Sequence, residues 1–329
     1  MKAATIRDVA VLAGVSPVTV SRFLNEPQRV RKETRERIQN AASKLGFVPD
    51  QRAGTLSGAK SRAVGVVLPT LANHGFSQFL QSLSEALSLE GFQLIVASRE
   101  LSKEREEDIV RQLCGWRPAG LILLAYRHTK ATMRMVSDLD IPTVESMEFY
   151  DPPLDMCVGF SNAEAARDMT IYLIGRGRRS IAYISMPSAN YVRAKIRCDG
   201  YRQAMAQHGL PELIVEAENS LDGGSKAIRQ LLRQQPDLEA VFCATDLLAL
   251  GVLNECRRQR IPVPDRLALA GFNGSDLATL SAPRITTMRT PTREAGAAAA
   301  RMVIERYMGT GPATRALKLP HELLVGETT

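Results

Sequence analysis

From residue 62 onward, short apolar runs alternate with longer stretches of helical period, and this alternation constrains the fold more than any other feature. Runs at 63–69, 92–98, 119–126 and 141–146 read as strands, with helical patterns at 76–90, 103–115 and 130–139 between them. A second series follows, with strands at 180–186, 213–218, 240–246 and 267–273 and helices at about 193–208, 224–235 and 247–260. Strands joined by helices form a parallel sheet covered on both faces. Two such series predict two lobes, each a doubly wound α/β unit. Ligands in these folds sit beyond the carboxyl ends of the strands, so two facing lobes would share a cleft. The tail, 317–329, reads as a closing strand rather than a heptad helix, which favours a dimer over a tetramer.

The first 60 residues have a different texture. Thr5 and Asp8 have the spacing of a capping box, and Ile6, Val9, Ala10 and Ala13 give the helix they open one apolar face. Gly14 ends it. Ser16 caps a second helix with Pro17 in its first turn, where a missing N–H costs nothing. Val20 and Leu24 face inward and Arg22 outward. A third helix runs from about Lys32 to Leu45, with Ile38, Ala41, Ala42 and Leu45 expected inside and Gly46 behind it. Two short helices around a glycine turn, closed by a third, predict a helix-turn-helix head. This module carries eleven Lys and Arg against five Asp and Glu, a net of +6, whereas the whole chain is +7. A small basic head on a near-neutral body is the electrostatic footprint of a phosphate-binding module.

Other classes find little support. No apolar run reaches the ~18 residues of a membrane span, and the N-terminus lacks a signal-peptide pattern, so the chain is expected in the cytoplasm. Five dispersed cysteines without CxxC spacing suggest reduced thiols. The four histidines lack metal-ligand spacing, and no P-loop or GxSxG elbow appears. The GxG in GRGRRS (175–180) follows a helix and precedes a strand, the wrong order for a dinucleotide site. No cofactor, metal or enzymatic activity is expected.

The stretch TIRDVAVLAGVSPVTVSRFLN (5–25) and its continuation to residue 53 resemble the head of the LacI/GalR family of bacterial repressors, and the likeness runs on through the body. The resemblance implies an all-α helix-turn-helix head (1–49), a hinge (50–61) and a two-lobed α/β core with parallel sheets like that of periplasmic binding proteins (62–329). The first lobe would take about 62–158 and 286–315, the second about 159–285 and 316–329. It implies a homodimer on a near-palindromic DNA operator, controlled by a small sugar or sugar acid. Pro17, Val18 and Arg22 match base-reading positions of the second helix, and Arg22 can give two donors to a guanine. Thr5, Ser16, Thr19, Ser21, Asn25 and Thr34 match phosphate-holding positions, and Arg29 a further groove or backbone contact. Leu56 matches a leucine that wedges into the minor groove, although Asp50, Gly54 and Thr55 depart from the usual hinge. Leu56 could equally be a plain linker residue.

In the core, Tyr126, Arg127, Glu145, Asp246 and Asn273 lie at strand ends, where a small polyol or sugar acid would meet polar groups, and the resemblance adds Asn73, Phe76 and Arg197 as effector contacts. Arg197 is the strongest of these, since a guanidinium clamps a carboxylate bidentately. Arg197 could instead form a surface salt bridge, Asp246 could cap the next helix, and Tyr126 and Arg127 could be loop residues. Segments 124–148, 158–170 and 270–278 are similar to LacI-type repressors of gluconate catabolism, and Arg127, Arg197 and His128 would suit an acidic sugar. A cytoplasmic sugar-sensing protein and an α/β enzyme carrying a DNA-binding head are the competing readings.

Overall fold

The computed structural model describes residues 4–48, 61–71, 74–100, 102–124, 128–187 and 192–329. The expected hinge at 50–61, with Leu56, and the positions of Asn73, Tyr126 and Arg127 therefore lie, wholly or nearly so, outside the described residues. The chain divides into two compact units, residues 1–62 with 115–117 and residues 63–114 with 118–329.

The first unit holds α1 (Ile6–Ala13), α2 (Pro17–Asn25) and α3 (Lys32–Leu45). Val9, Ala10, Ala13, Val20, Ile38 and Ala41 form its buried centre. Leu45 does not join them, being 38% exposed. The chain turns back at Gly46, which has φ 58°, and Phe47 packs against the cluster in its place. Helix α3 starts without a side-chain cap at Arg31.

In the second unit, one sheet contains β1 (Ala63–Leu68), β2 (Gln93–Ser98), β3 (Gly120–Leu123), β4 (Thr143–Ser146), β5 (Met156–Gly159) and β11 (Ala316–Lys318), ordered β11-β5-β4-β3-β1-β2. Every pairing in it is parallel. Helices α4 (Ser77–Leu89) and α12 (Thr292–Met308) bury one face, and α5 (Lys103–Gly115) and α6 (Lys130–Asp138) the other. The second sheet contains β6 (Ile181–Ser185), β7 (Leu213–Glu216), β8 (Ala240–Cys243), β9 (Ala268–Asn273), β10 (Thr286–Arg289) and β12 (Glu322–Leu324), ordered β12-β10-β9-β8-β6-β7. Only the β10–β12 pair in it is antiparallel. Helices α7 (Asn162–Gly175), α8 (Val192–Gln207), α9 (Leu221–Gln234), α10 (Asp246–Arg258) and the short α11 (Asp276–Thr279) contribute to the core of this lobe. Close approach of α8 to α7 depends on Gly200, where a Cβ would lie 2.2 Å from the Ala163 carbonyl oxygen.

The chain crosses between lobes after β5, after β10 and after β11. Two crossings fall later than the sequence suggested. Residues 286–289, expected in the first lobe, pair in parallel with β9, Thr286 opposite Ala270. Residues 316–318, expected in the second lobe, pair with β5, Ala316 opposite Cys157. Each strand completes the sheet whose edge it meets before the chain crosses, because an unpaired buried backbone group is costly. The tail thus supplies two short strands, one to each sheet, rather than one closing strand.

Candidate nucleic-acid interface and effector site

In the head, local chemistry fixes each candidate. The Thr5 hydroxyl accepts from the Asp8 amide at 3.4 Å and donates to the Asp8 carboxylate at 2.7 Å, and the Thr5 amide donates to the same oxygen at 2.8 Å. The Ser16 hydroxyl accepts from the Thr19 amide at 3.2 Å and lies 2.9 Å from the Thr19 hydroxyl. Gly14 takes φ 63°, and its own and the Ala13 carbonyl are held by Arg37 at 3.2 and 2.6 Å. A side chain at Gly14 would collide with that guanidinium. The turn between the helices is therefore pinned from α3, a role for Arg37 that no local sequence signal announces. Pro17, Val18 and Arg22 are exposed, whereas Val20 is fully buried. Arg22 forms no ion pair among the described residues, so its donors are available. Ser21 and Thr34 are half-buried. Arg29 is exposed and pairs with Glu26 at 2.9 Å, a contact that a phosphate would have to share or replace. The placement of the Asn25 side chain lies outside the described residues.

In the core, Phe76 ends a short 3-10 turn before α4 and is buried. Arg197 lies on α8, 6% exposed, and is not a surface salt bridge. Its Nη1 donates to the Ala244 carbonyl at 2.7 Å, its Nε to the Arg193 carbonyl at 3.3 Å, and its guanidinium sits 4.6 Å from the Phe272 ring centre. One turn earlier, Arg193 donates to the Leu124 carbonyl at 3.2 Å and lies 5.2 Å from the Phe76 ring centre. Burial first, and then the neighbouring Arg197 cation, push Arg193 down to about 10. Burial likewise lowers Arg197. Neither guanidinium forms an ion pair among the described residues. The acid that both feel, Glu148, is buried and turned to Asn162, whose side-chain and backbone N–H groups donate to it at 2.8 and 3.4 Å. Desolvation raises Glu148 to about 7 despite those bonds and the two arginines. Arg193 and Glu148 were not among the sequence candidates. The i, i+4 spacing of Arg193 and Arg197 on a predicted helix was the available signal for the first.

Three candidates turn out differently from expectation. Asp246 opens α10 without capping it, since Thr245 accepts from the Leu248 amide. Its carboxylate accepts from Thr287 Oγ1 at 2.6 Å and from the Ser275 amide and hydroxyl at 2.7 and 2.8 Å. Burial raises it to about 6 against those bonds. Asp246 thus ties β10 and the loop after β9 to α10, with both oxygens engaged. Glu145 is engaged as well: its Oε1 meets His128 Nε2 at 3.1 Å and its Oε2 accepts from the Leu154 amide at 2.7 Å. His128, suited on sequence to an acidic sugar, instead places Nδ1 2.5 Å from Glu106 Oε1. Arg99 Nε lies 3.5 Å from the other Glu106 oxygen. Arg99, Glu106, His128 and Glu145 thus form a buried chain of alternating charge beside the strand ends of the first lobe. Desolvation opposes a proton on His128, but the two carboxylates outweigh it and raise the imidazole to about 9. Asn273 does end β9 as expected, with φ 119°, a strained value for a residue with a side chain. Its carbonyl accepts from the Thr290 amide at 3.3 Å and hydroxyl at 3.4 Å, and its side-chain amide has no hydrogen bond among the described residues.

Among the described residues, no His, Cys, Asp or Glu group is arranged to hold a metal, and no helix is long and apolar enough to cross a membrane.

Comparison with known proteins agrees with this geometry. Residues 5–50 match the family described as bacterial regulatory proteins, lacI family, and residues 170–329 match a periplasmic binding protein-like domain. The chain is 38% identical over 327 residues to the HTH-type transcriptional regulator GntR of Escherichia coli strain K12, covering 99% of this chain and 98% of that protein. It is 32% identical over 327 residues to the HTH-type transcriptional regulator IdnR of the same strain, covering 98% of each. A crystal structure of a LacI-family transcriptional regulator from Silicibacter pomeroyi is similar at a TM-score of 0.92 and 29% identity, over 99% of both chains.

Proposed function

This chain belongs to the LacI family of bacterial regulatory proteins and is a DNA-binding transcriptional regulator, and from that premise we propose that it represses a carbohydrate catabolic operon under the control of a sugar acid, gluconate or a related aldonate, held between its two lobes. One observation carries the acid. Arg193, half-buried, and Arg197, buried, stand one turn apart on α8 without an ion-pair partner among the described residues. Two like charges taken out of water favour an incoming anion, and a carboxylate makes shorter and stronger bonds to a guanidinium than a carbonyl does. Phe76 and Phe272 supply apolar faces beside the two cations. Asn273, Asn73, Tyr126 and Arg127 complete the proposed contacts. The test uses the full chain in a thermal-shift screen. Gluconate at 100 times its dissociation constant adds about 2.7 kcal/mol of stability, and glucose at equal concentration adds far less. An equal response to both, or none to any sugar acid, would sink the reading.

On DNA, we assign base reading to Pro17, Val18 and Arg22, and phosphate contacts to Thr5, Ser16, Thr19, Ser21, Asn25, Thr34 and Arg29. Leu56 is the proposed wedge of the hinge. A homodimer places two such heads on a near-palindromic operator, in the cytoplasm where the DNA is. Arg22→Ala is expected to cost about 1–3 kcal/mol of operator affinity and to relax one base position. Binding to a panel of operator variants checks this, and an unchanged base preference would remove Arg22 from the reading set.

A further inference from the structure

We infer that Arg193 reads the acid group of the effector and, in doing so, gives up its bond to the opposite lobe, so that recognition and lobe coupling run through one side chain. The inference rests on the sugar-acid reading above. Helix α8 belongs to the second lobe, where Ala194, Cys198, Tyr201 and Met205 pack into its core. Leu124 and Phe76 belong to the first. The Arg193 side chain spans the two, bonded to the Leu124 carbonyl at 3.2 Å and stacked 5.2 Å from the Phe76 ring centre. Leu124 is itself fixed, its amide donating to the Val67 carbonyl at 3.0 Å. Arg197, on the same helix, makes no such span. Its partners Ala244, Phe272 and the Arg193 carbonyl all lie in its own lobe.

The two arginines therefore differ in what an anion would do to them. A guanidinium has five N–H donors. Arg197 has two nitrogens on protein carbonyls and its face on a ring, so it can accept a ligand without moving. Among the described residues, Arg193 has one hydrogen bond, to a neutral carbonyl, and a cation–π contact, both of them across the cleft. Its nearest anionic influence, Glu148, is held by Asn162. A carboxylate entering between the lobes offers Arg193 a charge-assisted, bidentate partner that outcompetes a single carbonyl. Taking that partner loosens Leu124 and Phe76 from α8. A ligand that bonds one group differently in two arrangements shifts the balance between them, and the coupling is reciprocal.

The test compares the full-length wild type with R193Q, R193K and R197M. Gluconate affinity is read by calorimetry. Operator affinity is read with no gluconate and with gluconate at a concentration that saturates each variant. The wild type should show a ratio between the two operator constants of about 5–150-fold, the usual range of coupling. R193Q should bind gluconate at least tenfold more weakly, and its ratio should collapse towards one even when saturated. R197M should also bind weakly, but keep the wild-type ratio once saturated. R193K, which keeps the charge but loses the planar fork, should fall between; if R193Q does not fold, the reduced ratio of R193K carries the test. A saturated R193 variant with the wild-type ratio, or R193Q with wild-type gluconate affinity, overturns the inference. A wild type that binds no sugar acid overturns the functional reading instead.

Discussion

Replacing His128 by leucine is expected to destabilise the core by about 3–5 kcal/mol, the usual cost of removing one partner from a buried ion pair. The side chains of His128 and Glu106 are each 2% exposed and that of Glu145 is 6% exposed. Leucine occupies similar space but leaves two carboxylates without their shared cation, and water cannot reach them. Arg99 cannot replace it, because its Nε is 3.5 Å from Glu106 and neither atom of that contact has a hydrogen bond. A shift of the denaturant midpoint at unchanged slope measures the loss. A change below about 1 kcal/mol would show that the pair contributes no more than a surface salt bridge. The triple variant E106Q/H128L/E145Q should recover part of the loss, since it removes the stranded charges.

The same group sets a pH dependence whose sign is fixed. Folding raises His128 from its ordinary 6.5 to about 9, so the native state binds the proton more tightly than the unfolded chain. Its contribution is complete below about 6.5 and fades as pH climbs through 9. Glu148 and Asp246, raised by burial to about 7 and about 6, act in the same direction at lower pH. The wild type should therefore lose stability steadily from mildly acidic to alkaline pH. H128L should lack the upper part of that decline, which a pair of melting series at pH 6.5 and 9.5 resolves.

Most of the architecture was legible in the sequence because it rests on local rules. The capping box at Thr5, the Ser16–Pro17 start and the left-handed glycines at 14 and 46 state where helices begin and end, and the apolar runs of 63–69 and 240–246 state buried strands. The short α11 and four larger elements escaped that reading. β5 and β10 carry no apolar run as long as those at 63–69 or 119–126, and α7 and α12 are buried on more than one side, with a run of four alanines in α12, so neither displays a clean amphipathic stripe. The lobe crossings were misplaced because a short strand's lobe is set by its pairing partner, β9 for β10 and the distant β5 for β11, and not by its own residues. The effector candidates divided along a similar line. Position at a strand end identified Glu145, Asp246 and Asn273, but only side-chain partners separate the first two, whose oxygens serve the protein, from the third. His128 looked like a ligand group because its two carboxylate partners lie 22 and 17 residues away. Conversely, Arg193 was passed over because its importance lies in what it touches on the other lobe.

Arg197→Met should weaken the effector by about 2–5 kcal/mol, the range for truncating one partner of a buried, hydrogen-bonded charge pair. Methionine keeps the apolar stem and can lie on Phe272, so the loss reports the guanidinium rather than a cavity. The Ala244 carbonyl, bonded by Nη1 at 2.7 Å, then loses its donor, and part of any stability change belongs to that orphaned acceptor. Operator affinity without effector separates the two effects, because the Arg197 contacts among the described residues all lie in the second lobe. A variant that binds operator normally, melts cooperatively and binds gluconate at least thirtyfold more weakly (about 2 kcal/mol) has lost a ligand contact. A variant that binds gluconate as tightly as wild type would move Arg197 out of the site and leave it the task of joining α8 to the end of β8. The discrimination is sharp because the two roles use different nitrogens: Nε and Nη1 already serve the second lobe, while Nη2 has no hydrogen bond among the described residues and is the one left for an acid in the proposed role.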